Sequence, residues 1–573
     1  MRDLRKLRRT AILLLIAILV GFAGWVYWNR VQTANLTVWA PGDSLAYVEV
    51  NDLSEIVRGV EQTTAWKSLG PLLGAPDHLA PNRSLLRFAR WTGIGSADVI
   101  LFARSQVAVV FSGAEGTQSG STLIIKPLLT LVVETHTSQS RMRAVMESHI
   151  EKTAREDFGN AAFVRKNLEG VELEEWQSED GARKIVTAFI NTTVVIANDE
   201  TAVLHAVQAA SGSRPSLSTN QEVDQARRAT DSTTAALFGF VTQAGVKSLL
   251  QAYALKSEGG DGASGDSITK ARLLADTFGG IVRHLGWTAR FTNGAIDDRV
   301  SIALAEGVND RLRNSMSPDR SPDISQISFA PADARSVSIY SFHDTATVWN
   351  DLSAVISSHT DLVGAMATRP IMRSLLNAYG IADAEVFTHG VGTQLQTVRT
   401  NEGRPALLIA QVFDRPTIEK AIAPRFGSSP KREKFLEADL MIAPDNWTAA
   451  FYQSSFLIGP GEQVRRCLQA QTNGESISST HSFRQAQTFV DLTVPITVLS
   501  FSNDSQNAVS FIEAFSRQPR SAFSTNAAAI GEASKTLPLA MSAVVVRQGS
   551  FDWTSRSSFG IGGGIVSELF PGK

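Results

Sequence analysis

Three short strings stand in the order of a serine acyl-transfer site: Ser428-Ser429-Pro430-Lys431, Ser502-Asn503-Asp504 and Lys535-Thr536-Leu537. That chemistry needs a serine at a helix start with a lysine one turn later, so that the amine can take the hydroxyl proton. Pro430 stands between the two, Gly427 to Pro430 reads as a turn, the middle string is Ser-Asn-Asp where Ser-Asp-Asn is required, and Leu537 replaces a glycine. The strings read as coincidence. Gly260-Asp261-Gly262-Ala263-Ser264-Gly265 has dinucleotide glycine spacing, but it follows a helical stretch, Val246 to Ser257, where a strand should precede it. It reads as an insertion loop.

Glu172, Glu174, Glu175, Glu179 and Asp180 crowd one hairpin and could offer oxygen ligands to a hard cation. On alternating strand faces they diverge, with Arg183 and Lys184 on the returning strand as cross-strand partners, so a solvated hairpin is expected. Cys467, the single cysteine, excludes a disulfide framework and a multi-thiolate zinc site; Val464 and Leu468 place it on an apolar helix stripe as a buried thiol. No two of the nine histidines have one-turn metal spacing, and His136, His205 and His343 read as surface or satisfied core residues. Neither a nucleophile elbow nor a phosphate-binding loop is present. Asn35, Asn191 and Asn446 begin Asn-x-Thr sequons, which matter only in a glycosylating host. No catalytic, cofactor-binding or metal-binding residue is assigned, and no cofactor is expected.

The elements that would carry any site begin with an anchor. Arg2, Arg5, Lys6, Arg8 and Arg9 face one acid, Asp3, and Ala11 to Trp28 follow without a charge. Eighteen helical residues cover about 27 Å, close to a bilayer's hydrocarbon thickness, with Trp25, Tyr27 and Trp28 at interfacial positions. Residues 11–28 are therefore expected to be an uncleaved transmembrane signal-anchor helix in the lipid bilayer, with 1–10 a cytoplasmic tail and the remainder outside the cytoplasmic membrane. The net charge of −2 leaves no basic footprint for nucleic acid. With 43% apolar and 19% charged residues there is material for sizeable cores.

That remainder repeats itself. Ala40-Pro41-Gly42-Asp43 before Leu45 to Val50 matches Ala330-Pro331-Ala332-Asp333 before Val337 to Tyr340, and Gly93-Ile94 with Ala97 to Val99 matches Gly380-Ile381 with Ala384 to Val386. Pro127 to Leu131 matches Pro405 to Ile409, Ala188 to Ile196 matches Ala450 to Ile458, Ser216-Leu217-Ser218 matches Ser476-Ile477-Ser478, and Asn293 to Asp297 matches Gln548 to Asp552. The offsets fall from 290 to 255 in one order, as chance matches would not. The expected fold class is α+β: the anchor, then two tandem homologous units with largely antiparallel sheets, 40–306 and 330–565, joined by a polar linker, 307–329, and closed by a tail, 566–573. Short turns between consecutive strands require antiparallel pairing, and helices are expected on one face of each sheet.

The opening Ala40-Pro41-Gly42-Asp43-Ser44-Leu45-Ala46-Tyr47-Val48-Glu49-Val50-Asn51-Asp52-Leu53, just after a single apolar segment, and Ser216 to Ser218 followed by Val223 and Ala226 carry a family likeness. The chain resembles a group of single-anchored, internally repetitive extracytoplasmic bacterial proteins grouped as a domain of unknown function. The resemblance implies the bacterial envelope and no particular activity.

With no nucleophile, base and orienting group readable together, the sequence leans against an enzyme. A membrane-anchored interaction or scaffolding module engaging an envelope protein is the first expectation, because duplication supplies two related surfaces. The alternatives are a binding protein for an apolar envelope ligand and an enzyme whose residues lie far apart in sequence.

Overall fold

The computed structural model describes residues 33–73, 105–119, 122–257, 275–276, 278–358, 376–400, 406–427, 429–505, 508, 512 and 527–563. The strands in chain order are β1 (Ala46–Val50), β2 (Gln106–Ser119), β3 (Thr122–Glu134), β4 (Ala162–Leu168), β5 (Val171–Gln177), β6 (Lys184–Ile190), β7 (Thr193–Ala197), β8 (Leu237–Thr242), β9 (Val282–Thr292), β10 (Ala295–Leu304), β11 (Ser336–Ser341), β12 (Val391–Arg399), β13 (Leu407–Val412), β14 (Lys431–Phe435), β15 (Ala438–Ile442), β16 (Trp447–Tyr452), β17 (Ser455–Pro460), β18 (Val498–Asn503), β19 (Leu539–Val546) and β20 (Ser550–Ser557).

Tight turns set much of the pairing. Asn293 and Gly294 both hold positive φ, 47° and 80°, which matches the right-handed twist of β9 and β10 and closes them into a hairpin. Asn191 does the same between β6 and β7. Among the described residues every strand pairing is antiparallel. Across the sheet the order is β4-β5-β6-β7-β3-β2-β1-β8-β9-β10-β20-β19-β18-β11-β12-β13-β17-β16-β15-β14. Read inward from either edge, the two halves run through corresponding strands in the same sequence.

This corrects the expected fold class. Two tandem units with sheets of their own are not found: one 20-stranded sheet runs through both halves. The cause lies in β10 and β20, each the last strand of its half. Alone, each would leave a row of unpaired N–H and C=O groups at an edge. They pair with each other instead, from Ile296 with Ser557 to Ala303 with Ser550. The transmembrane helix of that expectation falls in residues 11–28, outside the described residues. Among the described residues no helix is long and apolar enough to cross a membrane.

Helices cover both faces, where one was expected. Val194 and Val195 are neighbours on β7 and so point oppositely. Val194 packs with Trp176 and Phe189 against Met142, Met146 and Ile150 of helix Gln139–Phe158, and Val195 packs with Leu173 and Val186 against Val203 and Ala206 of helix Glu200–Ser211. The near-continuous apolar runs of β6 and β7 answer to two covered faces. The supposed linker is also built into the fold. Helix Val308–Met316 buries Val308 and Leu312 against Val355 and Ile356 of helix Thr345–Ser358, and Asn309 exchanges hydrogen bonds with Arg547 O (3.0 Å) and Gly549 N (2.7 Å) at the β19–β20 turn.

The repeated opening motifs have a mechanical role. Pro41 bridges Ser216 and Pro331 bridges Ser476; the Leu217 amide donates to Ala40 O and the Ile477 amide to Ala330 O, both at 2.8 Å. In each half the turn ahead of the first strand is thus pinned to the short 3-10 segment that precedes helix Gln221–Ala229 or helix His481–Gln487; Arg214, just before that segment, also pairs with Asp43, and Arg466, on the preceding helix Gly461–Asn473, with Asp333.

Candidate functional site at the seam

The join of the halves places side chains that neither half could place alone. Arg299 and Thr554 each stand five residues past the turn glycine of their hairpin, Gly294 and Gly549, and they are directly opposite across β10 and β20. The pairing is therefore isologous, with a local two-fold through that pair. The contacts beside it obey the same rule. Asp297 lies opposite Arg556, 3.3 Å from its guanidinium, and Ser301 lies opposite Asp552 and donates to it at 3.0 Å. Asp297 corresponds to Asp552 and Ser301 to Arg556, so across the junction one carboxylate holds a guanidinium and its counterpart a hydroxyl, while within its own hairpin Asp297 accepts from the Thr292 hydroxyl and Asp552 pairs with Arg547.

These residues share one face of the sheet, because residues on a strand alternate. On it helix Gln221–Ala229 crosses β9 closely: a Cβ added to Gly286 would lie 2.8 Å from Ala226 Cβ. Helix His481–Gln487 packs over β19 through Phe483 and Ala486, with Met541 and Ala543 in the same core. Between the two helices β10 and β20 present Arg299 and Thr554 to solvent. The Arg299 side chain is 51% exposed and, among the described residues, pairs with Asp231 at 3.8 Å. Arg290 also pairs with Asp231 (2.9 Å), Arg547 with Asp552 (3.0 Å), and the Arg556 guanidinium stacks 3.8 Å over the exposed ring of Phe489. The strip thus offers Arg299 and Arg547, both more than half exposed, to an acidic or hydrogen-bonding partner.

Behind the strip, on the other face, Asp298 is buried and accepts from Trp287 Nε1 and from the Ile561 amide, both at 2.8 Å. Burial pushes its carboxyl up to about 6. It holds the segment after β20, which Asp504 also holds by accepting from the Ser558 amide at 2.6 Å.

The three strings in acyl-transfer order do not meet. Lys431 opens β14, at one sheet edge, whereas Ser502 and Asn503 end β18, seven strand positions and about 34 Å away. Ser428 lies outside the described residues. Lys535 pairs with Glu532, Thr536 with Ser68, and Asn503 accepts from Ser505. Gly260 to Gly265 lies outside the described residues.

The acidic hairpin corrects the solvated reading. Glu174 and Glu175 are buried and do diverge to opposite faces. Glu174 meets Arg143 and Arg165, each at 3.1 Å, and Glu175 meets Lys166 (2.5 Å) and Lys184 (3.0 Å), which also reach Glu200. Burial raises the Glu174 carboxyl, and the hydrogen bond from Lys166 lowers that of Glu200. Two cations per buried acid leave no ligand set for a metal. Glu179 is exposed, Asp180 closes the turn by accepting from Ser178 (2.5 Å), and Arg183 donates to Asp157 O and stacks on Phe158. Cys467 is buried and its thiol is pushed up to about 12 by that burial. His136 contacts Gln106 at 3.0 Å, His343 contacts Asp319 at 3.0 Å, and burial lowers His205. Among the described residues no group of three or more His, Cys, Asp and Glu could hold a metal ion.

Two residues that sequence reasoning passes over act alike. Gln106 Oε1 accepts from the Ala34 amide (2.6 Å) while its Nε2 donates to Ala34 O (3.1 Å); Gln394 does the same with Asp323, at 2.8 Å and 2.8 Å. Each glutamine clips the chain ahead of the 3-10 turn that leads into its half, Leu36–Trp39 or Ile324–Phe329. A signal exists: their offset of 288 is within one residue of the 287 at Gly93-Ile94.

No protein-family profile matches the chain. No curated relative matches it. Solved structures of TP0453 share limited likeness: crystal form III at 11% identity, covering 48% of this chain and 82% of that one with a TM-score of 0.23; crystal form I at 8%, 49%, 81% and 0.22; and crystal form IV at 11%, 48%, 81% and 0.24. Scores of that size carry no argument about fold or role.

Proposed function

We propose that the chain is a non-enzymatic interaction module of the bacterial envelope, tethered to the bilayer through the uncharged stretch 11–28, and that it engages its protein partner at the seam. The observation that carries this is the solvent-facing strip of Arg299, Thr554 and Arg547 framed by one helix from each half. Such a strip exists only when both halves are present, and the exposed sides of its guanidinium groups suit acidic side chains. Among the described residues the buried carboxylates Glu49, Glu174, Glu175, Asp298 and Asp504 are paired with cations or held by N–H donors, which is structural chemistry and not that of a nucleophile with its base.

A crosslinking pull-down of the full chain from envelope membranes tests the proposal. A protein partner captured by the wild type and lost on Arg299→Glu with Arg547→Glu, both folded, is the expected result. Capture unchanged by those substitutions, or recovery of co-purified lipid or a hydrolytic turnover with no protein partner, would overturn it.

A further inference from the structure

The two outer edges of the sheet occupy the same place in their halves but are finished differently. Tracing the register outward puts Arg165 of β4 where Arg432 of β14 stands, hence Phe163 at the place of Pro430 and Val164 at that of Lys431. The β14 edge carries Pro430, Lys431, Arg432, Glu433 and Lys434, residue types that deter strand addition. The β4 edge instead exposes Phe163 (43%) and Val164 (47%), while its two cations are engaged inward: Arg165 with Glu174 and Lys166 with Glu175.

We infer that β4 is a self-association edge, on which a second copy of this chain adds its own β4 antiparallel. A two-fold perpendicular to the sheet requires opposing residues to share a face. The register that centres on Phe163 meets this: within β4 it sets Phe163 against Phe163 and Ala162 against Val164, and it brings Ala161 and Asn160, just ahead of the strand, beside Arg165 and Lys166. No like charges face each other. Trp176 already lies 4.6 Å from the Phe163 ring, so the axis would gather two Phe163–Trp176 pairs into one aromatic cluster. The chain makes the same kind of junction internally, where β10 meets β20. This inference does not depend on the seam's being the partner site.

The test uses the full chain in detergent. Cys467 is buried, so a cysteine introduced at the surface reports alone. Phe163→Cys should give a crosslinked dimer under mild oxidation or with a short bis-maleimide, and Lys431→Cys, at the other edge, should not. Light scattering should give the wild type twice the protein mass of Val164→Lys, with unchanged melting of the variant. A monomeric wild type, a dimeric Val164→Lys, or equal crosslinking from position 431 would overturn the inference; in the last case the association is not through β4.

Discussion

Arg299 and Thr554 hold the same position in their respective halves and face each other across the strands that join those halves. A contact of that kind makes every neighbouring interaction occur twice, once from each side. Here the two versions have diverged: Arg556 reaches Asp297 where Ser301 reaches Asp552.

The divergence sets an order of cost. Arg556→Ala leaves Asp297 without its cation and removes the cap on Phe489, so a loss of about 1.5–3 kcal/mol is expected, against about 0.5–1.5 kcal/mol for Ser301→Ala. Urea unfolding of the two variants measures both; equal losses would contradict the assignment.

Asp298 gives a pH dependence of known sign. Its carboxyl sits at about 6 in the folded chain, above the ordinary 3.8, so the folded state holds the proton more tightly. Stability from this group is fully present below the ordinary value and is lost as pH rises to and past 6, by an amount on the order of 3 kcal/mol. Relative to Asp298→Asn, the wild type should lose stability between about pH 4.5 and about pH 7.5. Urea midpoints of both proteins at the two pH values decide it, and a constant difference would contradict it.

Replacing Glu175 by alanine leaves Lys166 and Lys184 to share Glu200 alone. A loss of about 1.5–3 kcal/mol is expected. The second half has Ile442 at this place and Met441 at that of Glu174, so replacing the acid together with both lysines by apolar residues should recover most of the loss. Thermal or urea unfolding of the single and triple variants measures this.

Gln106→Ala removes both bonds to Ala34, and Gln394→Ala both bonds to Asp323. Hydrogen exchange should speed up at residues 33–40 in the first variant and at 322–330 in the second, each without change in the other half. Exchange unaltered at both sites would show that the clips are not what holds these segments.

What can be read from the sequence follows from which physical signals are local. Asn293-Gly294 announces its hairpin because its backbone geometry is tolerated by few residues, and the apolar runs of β6 and β7 announce burial directly. The motif matches around Pro41 and Ser216 point to recurrence but not to contact, which only the folded chain shows. The junction of β10 with β20 has no side-chain signature, since strand edges present the same N–H and C=O groups whatever the sequence. The helix in the linker escapes a sequence reading because its apolar positions, Val308, Leu312 and Met316, are diluted by charge over the other faces. The acids of β5 look solvated because their cations come from β4, from helix Gln139–Phe158 and from the start of β6, and only the fold brings these together.

Everything proposed for the seam requires that β10 and β20 be neighbours in the register found, and a paired-cysteine variant tests this most directly. In Arg299→Cys/Thr554→Cys the two side chains replace the residues on the local two-fold, where opposite Cβ atoms lie about 4.5–5.5 Å apart, near the range a disulfide spans. The account predicts that the folded chain forms an intramolecular disulfide, seen as a loss of two hydrogens by mass and a linked 299–554 peptide after digestion, while Arg299→Cys paired with Trp553→Cys, displaced by one residue onto the opposite face, does not. A folded protein in which 299 and 554 fail to link, or link no better than 299 and 553, would contradict it.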